Sequence, residues 1–167
     1  MTVFLETIEN HLGKFLAPIA DWFFQPEKTQ IAALCYRTTK KGAKVLLITS
    51  RGTGRWILPK GWPLKNASSW KTAEQEAYEE AGIVGKPGRD PVGSFRSYKD
   101  LDSGERLRTE VVVYPVKVSD QKKSYPEAGQ RELKWLRIED AAEQCDDSGL
   151  AKFLRQSTVK NLLDQKK

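Results

Sequence analysis

Histidine and cysteine are scarce: the 167-residue chain has one histidine, His11, and two cysteines, Cys35 and Cys145. His11 has no second histidine to pair with, and no catalytic role is assigned to it. Two cysteines in a chain without a secretion signal read as reduced thiols of a cytoplasmic protein, with one disulfide as the alternative. The N-terminus lacks a basic start, an uninterrupted apolar stretch and a small-residue cleavage site, which excludes a signal peptide. Glu6, Glu9 and Asp21 argue against a membrane span there. Internal repeats, low-complexity segments and a convincing domain boundary are also missing. The length suits one domain with a sizeable core.

What is present is basic and mixed in pattern. The net charge of +6 and a pI near 9.3 favour anionic partners. Residues 1–24 place Phe4, Ile8, Leu12, Phe15, Ile19 and Phe23 at helical spacing, which predicts an amphipathic helix. That helix packs on its own domain, on a second copy as a homodimer contact, or on a membrane surface. Beyond Pro26, "TQIAALCYRT", "AKVLLIT" and the short "RWIL" read as extended segments. A helix is expected from about Ser69 to Ala81, with Ser68 as N-cap and Gly82 just past its end. Pro87, Gly88, Pro91 and Gly93 mark a connection. "SFRSYKD" and "LRTEVVVYPVKV" form a hairpin around "LDSGE", and "RELKWLRI" is a further strand. "EDAAEQC" and "LAKFLRQSTVKNLLDQ" read as helices. The expected organisation is an N-terminal helix (1–24), a mixed α/β domain (27–145) and a C-terminal helix packed on it (146–167).

The helix expected near Ser69 ends in a way that works against itself. Glu76, Glu79 and Glu80 crowd its last turn, where the macrodipole is already negative. Like charges at this spacing add a repulsion of roughly 0.2–0.5 kcal/mol per pair. At about 100° per residue, Glu79 and Glu80 lie about 60° and 40° to either side of Glu76, so all three share one arc. A solvated acidic face is the plain alternative. A divalent cation removes both penalties, and Mg²⁺ suits one or two carboxylates completed by waters and substrate phosphates. This pattern points to a metal site, with Mg²⁺ as the ion and Mn²⁺ as the alternative.

The stretch "GWPLKNASSWKTAEQEAYEEAGI" (residues 61–83) resembles the Nudix box, G-x5-E-x7-R-E-U-x-E-E-x-G-U, where U is a bulky aliphatic residue. Gly61, Glu76, Glu79, Glu80, Gly82 and Ile83 stand at its spacing. Ala67 replaces the first Glu, Gln75 replaces the Arg, and Ala77 is small for its aliphatic place. Ala67 and Gln75 remove one charge of each sign together. The flanking segments resemble the diphosphoinositol-polyphosphate and diadenosine-polyphosphate branch of the family, from about Thr29 to Cys145. The resemblance implies a Nudix-type α/β/α sandwich with a mixed sheet, carrying the N-terminal helix as an addition.

The resemblance further implies Mg²⁺-dependent hydrolysis of a diphosphate linkage in dinucleoside or diphosphoinositol polyphosphates. Bound metal would lower the pKa of the attacking water, polarise the phosphoryl group and stabilise the leaving oxygen. Glu76 and Glu80 are the expected ligands, with Glu79 a third ligand or the base; Glu110 and Glu127 are unranked candidates for an outside base. Ser50, Arg51, Arg55, Lys60, Gly61, Arg108 and Arg131 match the branch's substrate-binding positions, and Arg forks suit phosphate geometry. Trp62 either stacks on a base or packs its loop. Two alternatives stay open: another diphosphate substrate, such as capped RNA or a nucleotide sugar, and a Nudix-fold binding module without catalysis. Nucleic acid enters only as a capped-end substrate.

Overall fold

The structure is a computed structural model that describes residues 28–101 and 103–164. The expected N-terminal helix and His11 lie outside the described residues. The expected sandwich forms. Its sheet is built on β1 (Lys28–Thr39), whose alternating side chains are buried on both faces. β1 runs parallel to β7 (Arg106–Gln121) and antiparallel to β2 (Gly42–Thr49), so the sheet is mixed. β3 (Trp56–Ile57) and β8 (Leu133–Leu136) extend β2, while β4 (Lys60–Gly61) pairs with Ile31 and Ala32 of β1. β6 (Gly93–Asp100) and β5 (Ile83–Pro87) pair with the first and second halves of β7. β6 and β7 form the expected hairpin.

Strand alternation sorts the core into two layers. Ala32, Leu34, Val45, Leu47, Val111 and Val113 face α2 (Ile138–Gln144), α3 (Ser148–Leu154) and α4 (Ser157–Asp164). Ile31, Ala33, Cys35, Leu46 and Ile48 face α1 (Ser69–Ala81). α1 presents Ala73, Ala77 and Ala81 to the sheet, each fully buried. Ala77 therefore fills its place in the box as part of a small-residue face that lets the helix lie close to the strands.

α1 ends as expected. Gly82 adopts φ 68°, and its N–H caps the carbonyls of Ala77 and Tyr78. At the other end Ser68 occupies the N-cap, but its side chain makes no capping hydrogen bond; only its carbonyl is used, by Lys71 and Thr72.

Two elements differ from the sequence expectation. β5 occupies a stretch for which no element was expected, running into the connection at Pro87; Gly85 and Pro87 are poor strand formers, tolerated on an edge strand with a bulge between Val84 and Gly85. The single C-terminal helix is instead α3 and α4, separated at Arg155 and Gln156. At about 100° per residue, one straight helix would aim Val159 and Leu163 nearly opposite to Leu150, Phe153 and Leu154. The break lets all five bury in one core.

Candidate active site

β4 holds two differently charged regions apart, one against α1 and one beneath the opposite face of the sheet. On the α1 side, Gly61 has no side chain, and the Glu76 carboxylate fills the space. A Cβ at Gly61 would lie 2.1 Å from Glu76 Oε1 and 2.4 Å from its Cδ. Among the described residues Glu76 accepts no hydrogen bond. Burial, followed by the charges of Glu80, Glu79 and Glu127, pushes its carboxyl up to about 7, with Arg131 opposing.

Glu80 is buried and both of its oxygens are engaged. Lys60 N donates to Oε2 at 2.9 Å, and Arg131 Nη2 pairs with Oε1. Burial raises the Glu80 pKa, against the lowering influence of Arg131 and the Lys60 N–H. Glu79 Oε1 accepts from Gln75 Nε2 at 2.8 Å, so the residue standing in the box arginine's place still holds a box glutamate.

Arg131 is the hinge of the acidic side. Its side chain is 5% exposed. Besides Glu80, its Nε donates to Glu127 Oε2 at 2.9 Å and its Nη1 to the Thr49 carbonyl at 3.0 Å. Glu127 also pairs with the exposed Arg51 at 3.3 Å, and its backbone N–H donates to the Glu79 carbonyl at 3.0 Å. Of the two outside-base candidates, the fold thus brings Glu127 to the box glutamates. Glu110 accepts from Ser94 Oγ on β6 instead.

Among the described residues, no three Asp, Glu, His or Cys side chains converge into a complete metal cage. The donors present do fit a hard divalent cation, which takes one or two carboxylates and completes its shell with water and phosphate oxygens. Glu76 is the telling group: its half-buried carboxylate is surrounded by like charge, and no lysine or arginine among the described residues is bonded to it.

The Lys60 side chain occupies the other region. Its Nζ donates to Gln30 Oε1 at 2.8 Å, and burial first, then Lys99, lowers its pKa to about 8. Arg55 also acts on Lys60, although its guanidinium is bonded to Asp100 and its Nε to Thr53 Oγ1. Ser50 shapes the turn: its Oγ accepts from Arg55 N at 3.1 Å and lies 2.7 Å from Thr53 Oγ1. Arg108 sits on β7 opposite Tyr98. The expected substrate residues are therefore divided, with Arg51 and Arg131 at Glu127 and Arg55 at Asp100. Sequence reasoning did not single out Lys28, Gln30 and Lys99, which lie near Lys60 or Trp62. Each stands among other polar residues at or beside a strand end, and only strand pairing shows that they share one end of the sheet.

A model of the NUDIX domain matches residues 28–157. The chain belongs to the Nudix family. It is accordingly an enzyme of the pyrophosphohydrolase type. Diphosphoinositol polyphosphate phosphohydrolase 3-beta from Bos taurus is 33% identical over 138 residues, covering 79% of this chain and 80% of the relative. Its Homo sapiens counterpart is 34% identical over 137 residues, covering 78% and 79%. The Caenorhabditis elegans Ap4A hydrolase in a binary complex superposes with a TM-score of 0.60 at 21% identity, covering 81% of this chain and 97% of that one. The MutT protein of Methanosarcina mazei gives 0.59 at 23%, covering 82% and 96%. At those identities the structural likeness establishes the fold. The match also runs past Cys145 into α3, in line with the core residues that α3 contributes.

Proposed function

We propose that the protein is a Mg²⁺-dependent hydrolase of diphosphate linkages in highly phosphorylated small molecules, namely dinucleoside or diphosphoinositol polyphosphates. The observation that carries this reading is the pairing at β4. Gly61 and the Lys60 N–H position Glu76 and Glu80 on one side, while the Lys60 ammonium lies on the other. Acid for a metal and base for phosphates are thus separated by one strand.

In this reading Glu76 and Glu80 hold the metal and Glu79 supports them. When bound, Mg²⁺ supplies an acidified water and neutralises charge on the phosphoryl group. Arg131 keeps Glu80 and Glu127 oriented, and Glu127 is placed to accept a proton from water. Lys60, Arg51, Arg55 and Arg108 supply fixed positive charge along the substrate, and the Ser50 turn aims Arg51 and Arg55. The reducing, cytoplasmic setting inferred from the sequence accords with Cys35 and Cys145 being free thiols. No helix among the described residues is long and apolar enough to cross a membrane.

Phosphorus NMR of reactions with Mg²⁺ and a panel of diphosphate substrates tests this. Cleavage of dinucleoside or diphosphoinositol polyphosphates, abolished in Glu80→Gln, is expected. Preferential cleavage of a nucleotide sugar or capped RNA would replace the substrate assignment. Intact diphosphates throughout would favour binding without turnover, the reading that Ala67 and Gln75 support.

A further inference from the structure

The carbonyls at the C-terminal end of a helix lack intrahelical donors and need partners outside it. At the end of α1, three of them are met by the segment that joins β7 to β8. Glu79 O accepts from Glu127 N at 3.0 Å, Ala81 O from Gln121 Nε2 at 3.2 Å, and Gly82 O from Lys122 N at 2.8 Å. Gln121 is fixed in turn, since its Oε1 accepts from Trp135 Nε1 at 3.1 Å. Between these bonds the ring of Tyr125 lies against Gly82, with Cδ1 2.5 Å and Cε1 3.0 Å from where a Cβ would stand. The missing side chain at Gly82 thus serves the left-handed cap and also makes room for an aromatic ring.

Tyr125 opens the turn that carries Glu127. Ala128 N donates to Tyr125 O at 3.1 Å, which encloses Pro126 and Glu127 as the two central residues. Proline suits the first central position because its φ is already fixed near the value needed there. A second turn follows at once, with Gln130 N donating to Glu127 O at 3.1 Å. Glu127 is therefore held by its own N–H at Glu79, by Arg131 at its Oε2, and by a turn whose first residue is seated on Gly82. Its Oε1 meets the exposed Arg51.

We propose that Tyr125 is a positioning residue for the reaction: seated on Gly82, its ring anchors the 125–128 turn and so fixes the Glu127 carboxylate beside the box glutamates. Tyr125 acts through Glu127 and not on the substrate. This rests on the reading in which Glu127 accepts a proton from water, and it deepens that reading. The end of the box helix and the segment carrying the proton acceptor are built as one unit, with the aromatic ring as the joint.

Two measurements on the full chain test this: steady-state kinetics with Mg²⁺ and the better cleaved of diadenosine tetraphosphate and a diphosphoinositol polyphosphate, and amide hydrogen exchange by NMR. Tyr125→Ala should lower kcat roughly 10-fold and leave KM within about 2-fold, because a displaced proton acceptor slows the chemical step. Tyr125→Phe, which keeps the ring, should retain most of the rate. Glu127→Gln should cost roughly 10²-fold, and adding Tyr125→Ala to it should cost little more. The Glu127 amide should exchange faster in Tyr125→Ala than in wild type, with the amides of β1 unchanged. Should Tyr125→Ala disturb the near-ultraviolet circular dichroism, Tyr125→Leu takes its place under the same criteria. Wild-type kcat in the folded Tyr125→Ala beside a slow Glu127→Gln would overturn the proposal alone. So would equal losses in Tyr125→Ala and Tyr125→Phe, or a Tyr125→Ala loss that adds in full to that of Glu127→Gln. Full turnover in Glu127→Gln defeats the proton-acceptor reading instead, and exchange then decides by itself. A freed Glu127 amide in Tyr125→Ala upholds the anchor, and an unaltered one overturns it.

Discussion

The two sides of β4 handle like charge differently. On the α1 side, three box glutamates and Glu127 crowd together, and one buried guanidinium, Arg131, is set among them. On the far side, Lys28, Lys60 and Lys99 gather with a neutral amide, Gln30, and an indole as their close partners. The acidic side thus carries an internal counter-ion, whereas the basic side relies on softer partners. In the proposed function, groups held for a cation need to stay folded when the cation is away, and groups that would meet a phosphorylated substrate gain by remaining short of anions until it arrives.

Removing the counter-ion should break the contrast most severely. Arg131→Met leaves Glu80 and Glu127 facing each other without their cation. Truncating one partner of a buried ion pair costs about 3–5 kcal/mol, and urea melts in EDTA should show a loss of that size. Mg²⁺ should restore part of it, and Mn²⁺ should bind the folded variant more tightly, because Glu80 no longer has an internal competitor. Equal stability with and without Arg131 would mean that the pair contributes little to folding.

A smaller effect is expected from adding one carbon at Gly61. Gly61→Ala meets only the end of the Glu76 side chain, and Gly61 has no positive φ, so the fold can yield by moving the carboxylate. Displacement by about 1 Å is enough for a roughly 10²-fold loss in turnover. Melting within about 1 kcal/mol of wild type and a loss of that order in kcat/KM are expected. Full activity would show that Glu76 need not sit against Gly61.

The contrast itself was only half legible in the sequence. Glu76, Glu79 and Glu80 lie within one helix turn, so local spacing revealed them, and Gly82 marked the helix end. Arg131 is 51 residues from Glu80 and meets it only through the fold, so its structural task was hidden behind its suitability for phosphate. Lys28 and Lys99 reach Trp62 from different strands, a juxtaposition that depends on β1 and β6 flanking β7. β5 was missed because Gly85 and Pro87 outweigh its flanking aliphatic residues, and sheet pairing overrides that weak local preference.

Proton linkage sharpens the acidic side further. Burial and neighbouring carboxylates raise Glu76 from 4.5 to about 7 in the folded chain. Between those values the folded protein holds a proton that the unfolded chain releases, so metal-free stability falls as pH rises through this window. Glu76→Gln removes that dependence, and at pH 8 in EDTA the variant should exceed wild type by about 1–3 kcal/mol. At pH 4 the two should converge. A variant less stable than wild type at pH 8 would show that the Glu76 charge supports the apo fold.

The smallest effect is expected at the outer edge, where Arg51 touches Glu127 but remains 61% exposed. An exposed pair contributes about 0–1 kcal/mol, so Arg51→Ala should scarcely move the melting midpoint. Its effect should instead appear in substrate binding, as a few-fold rise in KM at low salt for substrates with four or more phosphates. Raising the ionic strength shortens the Debye length from about 10 Å at 0.1 M to about 3 Å at 1 M, and the penalty should fade with it. Arg131→Met offers the internal control, because its buried pair with Glu80 is screened far less. If the Arg51 penalty persists undiminished at 1 M salt, Arg51 acts through Glu127 on the glutamate cluster and belongs to the acidic side after all.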